Sequence, residues 1–237
     1  MSDPNFDTIV VATRNSGKLE EFRALLRPLR CRLLSLPAAG IDRTVEESGR
    51  SFADNARMKA VAYSRLSPFP VLADDSGLEV AALGGRPGVR SARYGASGAS
   101  DADRNRKLLE ELARAGAGRE ARFVCALAVA HRGAVVLETE GECRGVIAPS
   151  MRGASGFGYD PIFLLPELGR TFAELSAEEK NAYSHRSRAL GRLLEILARP
   201  CPGEGARPAR AANALAARAE LRYNTRSSAL SGRSAAW

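Results

Sequence analysis

The stretch Thr8-Ile-Val-Val-Ala-Thr-Arg-Asn-Ser-Gly-Lys-Leu-Glu-Glu-Phe-Arg-Ala-Leu-Leu26 decides the fold class. Its first part is a short unbroken apolar run, suited to a buried strand. Its second part carries Leu19, Phe22, Leu25 and Leu26, with Leu29 just beyond, at helical spacing, and Asn15 or Ser16 is the natural cap. A buried strand feeding a helix through a tight polar loop is the unit of an α/β chain. In that geometry the helix start offers free N–H groups and the positive end of its dipole, which favours phosphate. Lys18 adds a mobile cation. The loop is not a Walker A loop, because it has one glycine and Leu19 stands where Ser or Thr would follow the lysine.

The α/β pattern continues outward. Arg32 to Leu36 reads as a second strand. Ser51-Phe-Ala-Asp54 has the capping-box form and opens a helix to about Arg65. Val71 to Asp74 reads as a third strand, ending in Asp75-Ser76-Gly77. Asp101 is expected to cap a helix with Leu108, Leu109 and Leu112 on one face. Arg122 to Ala130 and Ala134 to Glu140 read as consecutive strands around a His131-Arg-Gly133 turn, with Gly145 to Ala148 pairing beside them. A last helix carries Leu190, Leu193, Leu194 and Leu197 on one stripe and stops at Pro200.

Composition narrows the function classes. The 237 residues are 45% apolar and 26% charged, which is ordinary globular usage and excludes a wholly disordered or collagen-like chain. No stretch approaches the ~18 consecutive apolar residues of a membrane span. The first residues are polar and acidic, so no secretory signal is expected and the expected location is cytoplasmic. The four cysteines form no C-x-x-C pair, which suits free thiols in a reducing compartment. With only two histidines, any metal is expected to be a hard ion held by carboxylates and phosphates, Mg²⁺ first. The net charge of +8 invites a nucleic-acid reading, but half of it comes from six Arg and two Glu beyond residue 200. Residues 1–199 are therefore expected to form the functional domain. Residues 200–237 read as a linker and a weakly ordered basic extension, with a helical patch near Ala211 to Leu221 as one option and nucleic-acid binding as another.

Five groups of residues carry chemistry, and each has a bland alternative. Thr13 to Lys18 is a phosphate loop or simply a capped helix start. Asp74-Asp75-Ser-Gly77 is either a polar turn or a pair of carboxylates that divide labour, one taking a proton or metal while the other orients it. Glu46-Glu47-Ser-Gly49, with Asp54, Asn55 and Lys59, supplies oxygen ligands for Mg²⁺ or a solvated loop. Gly153-Ala-Ser-Gly-Phe-Gly-Tyr-Asp-Pro-Ile-Phe163 combines close backbone approach with rings that can stack on a base. Glu178-Glu-Lys-Asn181 and Ser184-His-Arg186, at the start of the final helix, hold donors for carbonyl or phosphate oxygens. Phosphate-seeking cations, metal-seeking carboxylates and a base platform in one chain point together to a nucleoside triphosphate.

The same motifs, in order, resemble the non-standard purine nucleoside triphosphate pyrophosphatases, the inosine/xanthosine triphosphatase family. The resemblance rests on Ala12 to Lys18, Glu47 to Phe52 with Asn55-Ala56, Ala73 to Leu78, Leu83 to Gly88, Ser91 to Tyr94, Gly156 to Phe163 and Ser184 to Arg186, and covers about residues 8 to 198. It implies a mixed elongated sheet flanked by helices, two lobes with a nucleotide cleft between them, and a homodimer. It implies Mg²⁺-dependent hydrolysis of ITP, dITP and XTP to the monophosphate and pyrophosphate. Carried over, Thr13, Arg14, Asn15, Ser16, Gly17 and Lys18 hold the triphosphate, and Ser76 contacts the substrate. Asp75 is the general base and a metal ligand, with Glu46 the second metal carboxylate and Glu47 its fallback. Phe157, Gly158, Tyr159 and Asp160 frame the base, while Lys180, His185 and Arg186 donate to its carbonyls. Asp54 and Tyr183 depart from the family pattern, Tyr183 at a wall of the expected base pocket. A nucleotide phosphatase, a cleanser of modified pyrimidines and a basic nucleic-acid binder are the competing readings.

Overall fold

The structure, a computed structural model, describes residues 6–27, 31–116 and 118–198. The elements run β1 (Thr8–Val11), α1 (Ser16–Leu26), β2 (Arg32–Ser35), α2 (Phe52–Ser64), β3 (Val71–Val80), α3 (Asp101–Ala115), β4 (Glu120–His131), β5 (Ala134–Ile147), β6 (Phe163–Leu165), β7 (Arg170–Thr171), α4 (Ala177–Tyr183) and α5 (His185–Ala198). The described strands form one mixed sheet in the order β2-β1-β3-β4-β5-β6-β7. β1 is parallel to β2 and β3, and each later pair is antiparallel. The sheet is central and flanked by helices, as the sequence led us to expect. The basic extension, with its Ala211 to Leu221 patch and Cys201, lies outside the described residues, as does Leu29.

Period-two alternation sorts the core onto two faces. Ile9, Val11, Leu72, Cys125, Leu127 and Val129 meet Phe22 and Leu26 of α1 and Ala189, Leu190 and Leu193 of α5. On the other face Val10, Ala73, Ala126, Ala128 and Ala130 meet Phe52, Ala56, Ala60 and Tyr63 of α2. The alanines facing each other there leave room for α2 to lie close against the sheet. A third cluster covers the far ends of β3 and β4, where Leu78, Val80 and Phe123 pack with Leu108 and Leu112 of α3 and with Phe163 and Phe172. Each such large side chain, fully buried, contributes roughly 1.5–3 kcal/mol. The two-residue turn between β4 and β5 uses Arg132 and Gly133 at φ +52° and +82°, the left-handed pair that suits a tight hairpin.

Several local expectations need correction. β3 does not end before Asp75-Ser76-Gly77. It continues to Val80 and pairs with β4 over its whole length, Asp74 opposite Leu127 and Asp75 opposite Ala126. Gly77 serves close approach rather than a turn: a Cβ there would stand 2.3 Å from Ser91 Oγ and 2.7 Å from the Gly88 carbonyl. The segment 88–93 therefore presses onto the strand, and Ser91 Oγ accepts from the Leu78 N–H at 2.9 Å. Asp101 is not the cap of α3. Ser100 is, in a reciprocal capping box with Asp103, and Asp101 is the first helical residue. At α2 only half of a capping box forms, since Ser51 accepts from the Asp54 N–H while the Asp54 carboxylate pairs with Arg57. Gly145 to Ile147 belong to β5 itself rather than to a separate strand. The Glu178–Arg186 stretch does not start one helix. Ser184 is extended (φ −65°, ψ 151°) and separates α4 from α5.

Candidate active site

The β1–α1 loop, the middle of β3, the loop before β6 and the α4–α5 junction converge on a cleft of about 320 Å³ lined by Thr13, Lys18, Glu47, Asp75, Phe157 and His185 among others. At one end Asn15 caps α1, its Oδ1 accepting from the Lys18 N–H at 2.9 Å. Thr13 Oγ1 accepts from the Asn15 N–H at 3.2 Å. Thr13, Arg14, Asn15 and Lys18 line the cleft, whereas Ser16 and Gly17 lie outside the lining. Gly17 instead meets Phe157: a Cβ on it would stand 2.5 Å from the ring.

Successive strand side chains leave opposite faces, so Asp74 and Asp75 separate. The Asp74 carboxylate receives Lys18 at 2.8 Å and Ser76 Oγ at 3.2 Å, with Arg186 Nε 3.9 Å away. Burial works to raise its pKa, but Lys18, Lys59 and Arg186 overcome that and hold it at about 2. Asp75 faces the cleft. Asn55 donates to one oxygen at 2.9 Å, the Ser76 N–H donates to the other at 3.1 Å, and Lys59 stands 4.0 Å away. Here burial wins over Lys59, Asn55 and Lys18, and the pKa is raised. Asp75 therefore has less compensating positive charge than its burial calls for. Lys59 also holds Glu47 at 2.9 Å and donates to the Asp74 backbone carbonyl. Glu46, beside it, is exposed, lies outside the lining, and has no partner among the described residues.

The other end is aromatic and cationic. His185 stacks on Phe123, centroids 4.7 Å apart and planes 11° from parallel. Burial, followed by the charges of Arg186, Lys180 and Lys18, holds its pKa well below the usual histidine value, so the ring is neutral. Neither ring nitrogen has a partner among the described residues. Lys180 Nζ lies 4.7 Å from the centre of the Phe157 ring, and the Arg186 guanidinium 5.2 Å. Asp160 Oδ2 accepts from Lys180 at 2.5 Å and from the Phe157 N–H at 2.9 Å. Tyr159 OH donates to the Ser91 carbonyl at 2.9 Å, so this ring is tied into the wall rather than free.

A buried string of alternating charge joins the two ends. From Lys18 and Asp74 it passes to Arg186, then to Glu21 at 2.6 Å, to Lys180 at 2.8 Å and to Asp160 at 2.5 Å. Arg186 also donates to Ser76 Oγ at 3.0 Å. Each charge along the string is matched, as buried charges require.

The structure thus brings together Thr13, Arg14, Asn15, Lys18, Asp75, Ser76, Phe157, Gly158, Tyr159, Asp160, His185 and Arg186 in the cleft lining, with Lys180 against the Phe157 ring. Glu21, at the centre of the string, escaped sequence reading. Its signal is faint: an acid three residues after Lys18 and four before the partly buried Leu25, on one helix face. Asn55 and Lys59 stand out in the sequence beside the Glu46–Gly49 loop, and only the fold shows that they hold Asp75 and Glu47. Tyr183 packs against the far core cluster and does not line the cleft.

Fold and cleft together define a mixed α/β protein with an anion-seeking loop at one end of a pocket and an aromatic, donor-lined wall at the other. The Ham1 family profile matches residues 9–196, and the chain belongs to that family. A dITP/XTP pyrophosphatase of Gloeobacter violaceus is 51% identical over 186 residues, 78% of this chain and 92% of the relative. A dITP/XTP pyrophosphatase of Geobacillus kaustophilus is 52% identical over 188 residues, 79% of this chain and 92% of the relative. A HAM1 protein from Coxiella burnetii superposes with a TM-score of 0.74 at 43% identity, covering 80% of this chain and 98% of that one. The nucleoside-triphosphatase/dITP/XTP pyrophosphatase of Mycobacterium abscessus gives a TM-score of 0.63 at 43% identity, covering 79% and 98%. Among the described residues no helix is long and apolar enough to cross a membrane.

Proposed function

We propose that this chain hydrolyses non-standard purine nucleoside triphosphates (ITP, dITP and XTP) to the monophosphate and pyrophosphate. The observation that carries the reading is the pairing of an under-compensated carboxylate, Asp75, at one end of the cleft with the unpartnered ring nitrogens of neutral His185 at the other. The first is suited to taking a proton from water, the second to meeting the edge of a base.

The residues fit Mg²⁺ by the chemistry of their donors. Among the described residues no cluster of three or more His, Cys, Asp or Glu forms a ready metal cage. Mg²⁺ does not need one, since it keeps several waters and takes one or two carboxylates plus phosphate oxygens. Asp75 and the Glu46–Glu47 loop would hold it, Glu47 from the cleft wall and Glu46 as the carboxylate still without a partner. When bound, the ion polarises water and offsets phosphate charge.

Asp75 accepts the proton of the attacking water, held in place by Asn55 and by the Ser76 N–H. Lys18 and the capped start of α1 receive phosphate oxygens and offset the charge that builds on the departing pyrophosphate. Phe157 stacks on the purine. His185, Lys180 and Arg186 present N–H donors to a 6-oxo group. Adenine offers a 6-amino donor there instead, so donor meets donor, and such a mismatch discriminates by up to about 10⁴-fold.

The test is pyrophosphate release from dITP, XTP, dGTP and dATP with and without Mg²⁺. Mg²⁺-dependent release from dITP and XTP, with dATP spared, is expected; guanine shares the 6-oxo group, so any sparing of dGTP rests on its 2-amino group. Equal rates on all four would overturn the account of base choice, and no release from any would overturn the activity.

A further inference from the structure

One face of α3 grips the aromatic loop of the cleft, and nothing in the chemistry above uses it. Asp101 Oδ2 accepts from the Gly158 N–H at 2.7 Å, and Asn105 Nδ2 donates to the Gly158 carbonyl at 3.0 Å. Four residues apart on a helix, these side chains stand one above the other. Both backbone groups of Gly158 are therefore held by a single helix face. Gly158 sits at φ +63°, where a side chain would be strained.

The grip is itself braced. The second Asp101 oxygen is held by Arg104, which also donates to the Ala99 carbonyl at 2.5 Å. Leu108 and Leu112 root the helix in the core. Asn105 is 1% exposed, and its amide orientation is fixed, because turning it over would set Oδ1 against the Gly158 carbonyl. An acid in the first turn of a helix has a general explanation in the dipole. Asn105 has none: it is a poor helix former, and its buried Oδ1 is left without a partner. The contact with Gly158 is what that position gains. The next residue is tied too, through Tyr159 OH and the Ser91 carbonyl. Phe157, immediately before, carries the ring that lies against Gly17, Lys180 and Arg186.

Resting on the proposed hydrolysis, we infer that Asp101 and Asn105 are positioning residues for base recognition. They fix the peptide at Gly158 so that the Phe157 ring presents one face to the purine, and they set the affinity for the base without touching the chemistry at the phosphates.

The test compares Asp101→Ala, Asn105→Ala and the conservative Asp101→Asn, which keeps an oxygen that can accept from the Gly158 N–H. In the two alanine variants the KM for dITP is expected to rise about tenfold, the equivalent of one buried hydrogen bond. Loss of binding that ground and transition states share raises KM and spares kcat. Inhibition by inorganic tripolyphosphate, which has no base, should be unchanged, and Asp101→Asn should restore the KM. Hydrogen exchange at the Gly158 amide reads the grip without substrate and should quicken in Asp101→Ala. An unchanged KM in both alanine variants, or a matching loss of tripolyphosphate inhibition, overturns the inference while leaving the activity intact. Absence of dITP hydrolysis in the unmodified protein overturns the activity, and the base-positioning role with it.

Discussion

Asp74 and Asp75 are neighbours on β3, yet their carboxyl groups are displaced in opposite directions from the ordinary aspartate range. Alternation along the strand is the cause: one side chain turns to three cations, the other to a cleft that holds too little positive charge. Replacement should therefore separate function from stability. Asp75→Asn should lower kcat by at least ~10²-fold, the usual contribution of a general base. Its melting temperature should hold or rise, because the ionised carboxylate is disfavoured in the fold. Asp74→Asn leaves Lys18 and Arg186 short of their partner and should cost ~3 kcal/mol. Steady-state rates and thermal melts of the two variants check this. Near-native turnover of Asp75→Asn would remove Asp75 as the base.

The pH dependence has a definite sign. As the proposed base Asp75 would work ionised, so kcat/KM should fall as pH drops through a pKa above the ordinary aspartate value. Lys59 pulls that pKa down, so Lys59→Met should move the acid limb to higher pH. His185 stays neutral and should add no inflection near pH 6.5. Stability follows a different group. The folded pKa of Asp74 lies below its unfolded value of 3.8. Its contribution is fully present above that value and is lost as pH falls toward 2. pH–rate profiles and acid titrations of the fold measure the two effects separately.

Gly17→Ala looks benign by propensity, since alanine is favoured over glycine in a helix by roughly 0.5–1 kcal/mol. The new methyl would stand 2.5 Å from the Phe157 ring. The ring must give way, so KM for dITP should rise several-fold while tripolyphosphate inhibition holds. An unchanged KM would mean that the ring position does not matter for the base.

Glu21 holds Lys180 with one oxygen and Arg186 with the other. Burial works to raise its pKa, but the two cations win and it is lowered. Glu21→Gln should keep the shape but leave two buried cations under-compensated, at a cost of ~3 kcal/mol. It should also erode the preference for dITP over dATP, because the donors lose their fixed places. Ratios of kcat/KM on the two substrates, with urea melts, test both statements.

Much of this was legible in the sequence because it is local. The β1–α1 loop, the paired aspartates and the α5 stripe each declare themselves within a few residues, through run length, period and caps. The errors came where distant chain competes with local signals. Asp75-Ser76-Gly77 spells a turn, and only the approach of Ser91 and Gly88 to Gly77 shows why the strand continues. Asp101 spells a cap, and only Gly158, far along the chain, shows what else it holds. Glu21 and Asn105 carried almost no local signal, since a charged or amide residue on a helix is usually solvated. Their roles exist only once α1 meets the α4–α5 junction and α3 meets the aromatic loop.

The continuity of β3 through Asp75 has a further consequence. The proposed proton acceptor is anchored in the middle of a strand that pairs with β4 along its whole length, and a strand interior opens less readily than the loops and helix starts that carry the groups proposed to meet the base. Chemistry and taste therefore sit on parts of different rigidity. On the proposed roles, changes in the loop around Phe157 should alter the choice of base while leaving the placement of the Asp75 carboxylate in β3 unchanged.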